Sequence, residues 1–244
     1  MNPLYMIQCT LDPRAFMAFA REQGLDPGRG ELDLGYLGHA WLKAAFGDRA
    51  PGRWRLFMPG PPQRRFLPAR ILAYSDHPAD ALGDHLARFG TPSVEAVCPA
   101  DGIQGKALPQ EWPPNRHYAF EALCCPVGRK ARQGTEKDVF LLATEQAPEE
   151  TLERATVYQD WFRTRAEAVE GIQILNIDVN AFRLGKVMRK TQDHPRNPRQ
   201  AIRPQAEFRG VLKATGDGGL LDLLRRGVGR HRAFGFGMIL LRPA

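Results

Sequence analysis

Several things are scarce in this 244-residue chain, and each scarcity narrows what it can be. Cysteine is rare: Cys9, Cys98, Cys124 and Cys125 are all there is. None stands at metal-ligand spacing from a histidine or from a second cysteine pair, so no metal site is expected. Cys124 and Cys125 are adjacent in an apolar run, where a strand would send them to opposite faces. This usage fits a reduced, cytoplasmic protein. No apolar run is long enough to span a membrane, and Met1-Asn2-Pro3-Leu4-Tyr5 does not read as a signal peptide. The composition is not that of a disordered chain either. At 43% hydrophobic residues it can bury a core, in one large domain or two small ones.

What the chain does have is positive charge in one place. The net charge is +7. Between Arg183 and Arg232 there are thirteen Lys/Arg against four Asp/Glu, a net of +9, so the rest of the chain is about −2. A field gathered in one segment is what a polyanion-binding face requires; a solvated basic surface without a partner is the plainer alternative.

The hydrophobic pattern predicts the same order of elements twice. Leu4 to Thr10 reads as a strand, and Asp12-Pro13 opens a helix through Arg21. A second helix is expected from Leu32 to Phe46, and a hairpin from Arg53 to Met58 and Arg65 to Tyr74 around Pro59-Gly60-Pro61-Pro62. Pro78 to Phe89 reads as a helix stopped by Gly90, and Val94 to Cys98 as a last strand. The Pro- and Gly-rich stretch 99–115 reads as a linker. Beyond it, His117 to Val127 is expected as a strand, Pro148 to Glu170 as a long helix, and Ile172 to Phe182 and Phe208 to Ala214 as strands. Asp217 to Arg226 reads as a short helix and Ala233 to Leu241 as a final strand. Two βαββαβ units in tandem make an α+β protein of two ferredoxin-like domains, 1–98 and 116–244.

The segment Arg183 to Pro204 breaks this pattern as a basic insertion where a hairpin tip is due. Its Lys186, Arg189, Lys190, Arg196, Arg199 and Arg203 suit a phosphate backbone, to be held without reading sequence.

The sharpest local feature is the glycine-rich stretch Gly227-Val228-Gly229-Arg230-His231-Arg232-Ala233-Phe234-Gly235-Phe236-Gly237, with the strand Met238-Ile239-Leu240-Leu241 after it. Glycines allow tight turns and bring backbone N–H groups close to an anion, and Arg230 and Arg232 add charge there. Phe234 and Phe236 could stack on bases or pack in a core; on a strand, alternating with glycine, at least one is expected to pack. A Walker loop would end in Gly-Lys-Ser/Thr after a strand, and a dinucleotide loop would lead into a helix; neither context is met.

This stretch resembles the C-terminal glycine-rich loop of the CRISPR repeat-processing endoribonucleases, closest to the CasE type of type I-E systems. Phe208-Arg209-Gly210-Val211-Leu212, Leu220-Leu221-Asp222-Leu223-Leu224 and the ending Leu240-Leu241-Arg242-Pro243 carry the same resemblance. Processing nucleases of type IV systems share the architecture. A second point of likeness is Tyr36-Leu37-Gly38-His39, similar to the family's Tyr-x-x-His pair, with Phe46 at a later aromatic position. The family's fold is two ferredoxin-like domains. The resemblance implies an RNA 2′-hydroxyl attacking the neighbouring phosphate, giving a 2′,3′-cyclic phosphate and a 5′-hydroxyl without a metal or other cofactor. It implies CRISPR repeat RNA and the mature crRNA as partners, held within an effector complex.

The chemistry explains the residue types. A 2′-hydroxyl needs a base, the leaving 5′-oxygen needs an acid, and histidine serves either near pH 7. Charge gathering on the phosphate calls for a cation or donor nearby. On a helix Tyr36, His39 and Lys43 share one face, so Lys43 could supply that cation. The plainer alternative makes His39 a helix-edge residue packed near Trp41 and Phe46. His231 is the next acid–base candidate, with a structural or RNA-contacting role expected first. His77, His85, His117 and His194 have no companion motif, though His194 lies in the basic insertion. The RNA-binding expectation covers that insertion together with Arg209, Gly227, Gly229, Arg230, His231, Arg232 and Arg242. From another class, a non-catalytic RNA-binding subunit remains open, as does a DNA-binding regulator.

Overall fold

The computed structural model describes residues 3–26, 31–59, 68–129, 135–190, 198–215 and 218–244. The chain forms two compact units: residues 1–110 with Ala233–Gly235, and residues 111–232 with 236–244.

In the first unit, β1 (Tyr5–Leu11) leads into α1 (Pro13–Glu22). The Asp12 carboxylate accepts the N–H groups of Arg14 and Ala15 at 2.7 and 3.0 Å, and Pro13 supplies the fixed φ of a first helical residue. Then come α2 (Leu34–Phe46), β2 (Arg53–Phe57), β3 (Ala69–Ser75) and α3 (Ala79–Phe89), which ends at Gly90 as expected. The hairpin turn proposed at Pro59–Pro62 lies largely outside the described residues. The core is lined by Ile7, Phe16, Leu37, Trp41, Phe46, Trp54 and Ile71, each at most 1% exposed.

The end of this unit departs from expectation. Val94 to Cys98 is not a strand: α4 spans Pro92–Val97. Thr91-Pro92 is a helix start, and the buried valines Val94 and Val97 are three apart, a helical rather than an alternating interval. The missing strand, β4 (Ile103–Ala107), lies inside the stretch expected as linker, which corrects the 99–115 boundary. Of its five residues only Ile103 is buried, so its sequence carries almost no apolar signal. It pairs antiparallel with β1, giving the sheet order β2-β3-β1-β4.

The second unit has β5 (His117–Cys124), a small hairpin of β6 (Val127–Gly128) and β7 (Lys137–Asp138), α5 (Val139–Gln146) and α6 (Arg154–Glu167). The long helix expected from Pro148 to Glu170 is therefore shorter, and a helix and a hairpin precede it. Asp138 caps α5 by accepting the Phe140 N–H at 2.9 Å, and the Tyr158 hydroxyl of α6 donates to the same carboxylate at 2.9 Å. β8 (Ile172–Lys190) and β9 (Pro198–Ala214) form one long antiparallel ribbon with two bulges, and residues 183–190 and 198–204 of the basic insertion lie in its outer half. After α7 (Gly219–Arg226) comes β10 (Ile239–Pro243). The last strand is thus shorter than Ala233–Leu241: Arg232–Phe234 is a 3₁₀ turn, and Gly235 and Gly237 have positive φ. The sheet order is β10-β5-β9-β8. Each sheet has the order fourth-first-third-second of its own unit, all antiparallel, so the protein is α+β with two tandem ferredoxin-like units. Among the described residues no helix is long and apolar enough to cross a membrane.

Candidate nucleic-acid interface and cleavage site

Each unit presents its own candidate site. In the first, α2 begins at Asp33, whose carboxylate accepts the Tyr36 N–H at 2.9 Å. Tyr36 and His39 follow one turn apart and half-buried, their ring centroids 6.4 Å apart in an edge arrangement. The segment Ala233–Gly235, part of this unit, lies against them. The Phe234 ring stacks on Tyr36 at 6.0 Å and tilts against His39 at 5.0 Å. Gly35 allows the approach: a Cβ there would stand 2.6 Å from the Phe234 carbonyl. The Trp54 indole N–H donates to the Ala233 carbonyl at 3.1 Å. Sequence reasoning missed Trp54 and Ala233 and left Phe234 undecided; only its placement after an arginine-rich turn hinted at a role.

His39 has its pKa lowered from the ordinary histidine value. Burial is the largest cause, the Lys43 charge adds to it, and a hydrogen bond from the ring to the backbone of Ala233 works the other way. Near neutral pH the ring is therefore mostly uncharged. An uncharged imidazole keeps a lone pair on one nitrogen, which is what a base needs. Lys43 shares the helix face, as the spacing predicts, but its ammonium donates to the Gly47 carbonyl at 3.0 Å and lies 3.9 Å from Asp48.

In the second unit the glycine-rich loop, the end of α6 and the turn after β5 enclose an open cleft of about 680 Å³. Among the described residues five arginines line it, Arg129, Arg165, Arg226, Arg230 and Arg232, and no acidic residue does. Arg165 stacks on Trp161 with its guanidinium 4.7 Å from the ring, and burial followed by the Arg230 charge lowers its pKa from the ordinary arginine value. Arg226 pairs with Asp222 at 2.8 Å, and Arg232 donates to the Arg226 carbonyl. Gly229 has φ +84°, and a Cβ on it would lie 2.7 Å from the Trp161 ring, so the loop reaches the cleft only as glycine. Sequence reasoning placed Gly227, Gly229, Arg230 and Arg232 here and missed Arg129, Arg165 and Arg226, which come from distant elements. His231 has a side chain only 2% exposed and lies 2.9 Å from the Glu136 carboxylate, facing protein rather than the cleft. Phe236 is buried in this unit.

The other expected RNA-binding residues stand elsewhere in the second unit. Lys186 is exposed on the ribbon, while Arg203 is mostly buried and reaches within 3.9 Å of Glu136. The backbones of Arg189 and Arg199 face each other across the ribbon, and Lys190 faces Pro198. Arg196 and His194 lie outside the described residues. Arg209 and Arg242 line a smaller cleft of about 490 Å³ on the sheet, where Arg209 pairs with Glu121 at 3.4 Å.

The chain has structural likenesses. It matches the CRISPR endoribonuclease Cse3 bound to 19 nt RNA at a TM-score of 0.63 and 20% identity, over 98% of this chain and 100% of that one. It matches the CRISPR-associated protein Cas6e from Escherichia coli str. K-12 at 0.54 and 14%, over 98% and 100%. A chain of a CRISPR RNA-guided surveillance complex, pre-nicking, matches at 0.55 and 16%, over 98% and 100%. At such identities the likeness is one of fold. No curated protein sequence matches. The family model described as CRISPR associated protein matches residues 4–243, nearly the whole chain. The chain belongs to the CRISPR associated protein family.

Proposed function

We propose that this protein is a metal-independent endoribonuclease that cuts CRISPR repeat RNA and retains the product. The second unit holds the RNA stem. A cleft with five guanidinium groups and no carboxylate among its described lining residues suits phosphates, and the basic ribbon adds charge to the same unit. The fold neighbour bound to RNA supports the same substrate class.

The observation that carries cleavage is the setting of His39: a half-buried ring on α2 held between Tyr36 and Phe234, with burial lowering its pKa. His39 takes the proton of the RNA 2′-hydroxyl as that oxygen bonds to phosphorus. The bond from phosphorus to the 5′-oxygen breaks, and the Tyr36 hydroxyl is the donor at hand for the leaving oxygen. The products are a 2′,3′-cyclic phosphate and a 5′-hydroxyl. Lys43 acts through its charge on His39. The neighbour in a surveillance complex supports retention of the mature crRNA in a cytoplasmic effector complex with other CRISPR subunits.

The test is a labelled repeat stem-loop incubated with protein in EDTA. Cleavage by the wild type, lost in His39→Ala with binding kept, is the expected result. Binding without cleavage by the wild type makes the protein a non-catalytic RNA-binding subunit. Cleavage that persists in His39→Ala moves the acid–base role elsewhere. No preference for the stem-loop over duplex DNA points to a DNA-binding regulator.

A further inference from the structure

A buried carboxylate sits behind the arginine cleft. Glu136, just before β7, has a side chain only 2% exposed. Its Oε1 is 2.8 Å from Arg230 Nε and 3.5 Å from Arg129 Nη2; its Oε2 is 2.9 Å from His231 Nε2 and 3.9 Å from Arg203 Nε. A charge so buried persists only among partners of opposite sign or donors, and these four come from three separate stretches of chain.

Two of these partners also line the cleft. Arg129 and Arg230 keep 35% and 46% of their side-chain exposure, so each guanidinium spans from the dry carboxylate to the open cleft. Arg230 meets the carboxylate through Nε, and its half-exposed side chain also lines the cleft. His231 has φ +60°, a left-handed conformation uncommon outside glycine, and the same carboxylate holds its ring. Glu136 therefore grips both consecutive residues of the loop that follow Gly229.

Taking the cleft as the phosphate site proposed above, we infer that Glu136 is its positioning residue: it aims the outer N–H groups of Arg129 and Arg230 at a bound phosphate and anchors the loop through His231. The inference has a sign that charge alone would reverse. Neutralising a carboxylate beside a polyanion site should strengthen binding if only net charge mattered. Losing an anchor should weaken it, because two long side chains must then be ordered on binding.

The experiment measures Kd for the repeat stem-loop and for inorganic pyrophosphate with the full chain carrying Glu136→Gln. Affinity for both is expected to fall about fivefold, the effect of immobilising one or two flexible side chains. Glu145→Gln, which removes the exposed partner of Lys137, should leave both unchanged. Arg230→Ala combined with Glu136→Gln should lose less pyrophosphate affinity than the two single losses together, since coupled residues are not additive. Unchanged or tighter binding by Glu136→Gln, or additive losses, overturns the inference. So does a wild type that binds no pyrophosphate. A wild type that binds pyrophosphate but not the RNA sinks the RNA reading, and Glu136 is then decided on pyrophosphate alone. If thermal melts show that Glu136→Gln does not fold, Glu136→Asp keeps the charge and shortens its reach. The same weakening is expected, and wild-type affinity there overturns the inference.

Discussion

The two ferredoxin-like units repeat one sheet order, β2-β3-β1-β4 and β8-β9-β5-β10, yet present opposite chemistry. The first surrounds one histidine with aromatic rings and lowers its pKa. The second gathers arginines around an open cleft and backs them with a buried carboxylate. The same scaffold thus carries a histidine among aromatic rings in one copy and an arginine-lined cleft in the other. The difference lies in turns and helix ends, not in sheet order. If the division is real, substitutions in the first unit change rate at saturating RNA, and those in the second change affinity.

The largest effect is expected from His39→Ala. Single-turnover cleavage should fall about a hundred- to ten-thousandfold with Kd for the stem-loop nearly unchanged; a matching loss of binding would erase the contrast. Arg165→Ala should do the reverse. Affinity should fall about tenfold and the salt slope by about one, with the saturated rate kept, as filter binding across salt concentrations would read. Trp54→Phe removes the donor to the Ala233 carbonyl and should slow cleavage about fivefold without touching Kd.

The pH profile gives a finer test. With His39 as the proposed base and its pKa lowered below 6.5, the rate should be lost as pH falls through that lowered value, so the acidic limb is expected below pH 6.5. Lys43→Gln removes a positive charge that depresses this pKa, so the limb should move toward higher pH, by about a few tenths of a unit, with the plateau rate little changed. A large drop in the plateau would instead make Lys43 a direct phosphate contact.

Much of the scaffold was legible where local chemistry is strong. Asp12-Pro13 marked α1, Gly90 ended α3, and the described parts of the basic insertion, 183–190 and 198–204, fell in the outer half of the β8–β9 ribbon. β4 was hidden because an edge strand with one buried residue shows no alternation. The strand expected at Val94–Cys98 was a helix because Pro92 and the three-residue valine interval outweigh β-branching. The candidate site was half visible. Tyr36 and His39 are adjacent on α2, and Arg230 and Arg232 share a loop. Arg129, Arg165 and Glu136 meet that loop only through tertiary packing, which no local pattern records.

The bond from Trp54 to Ala233 joins residues 179 apart in sequence. A ribosome that has already released β1 through β4 has made every strand of the first sheet, but not Ala233 or Phe234. The histidine's surroundings are completed only after the arginine-bearing elements have been synthesised. Both units close late in translation: Ala233–Gly235 completes the first, and β10, made after it, completes the sheet of the second. A nascent chain paused within the second unit would leave His39 without its carbonyl partner.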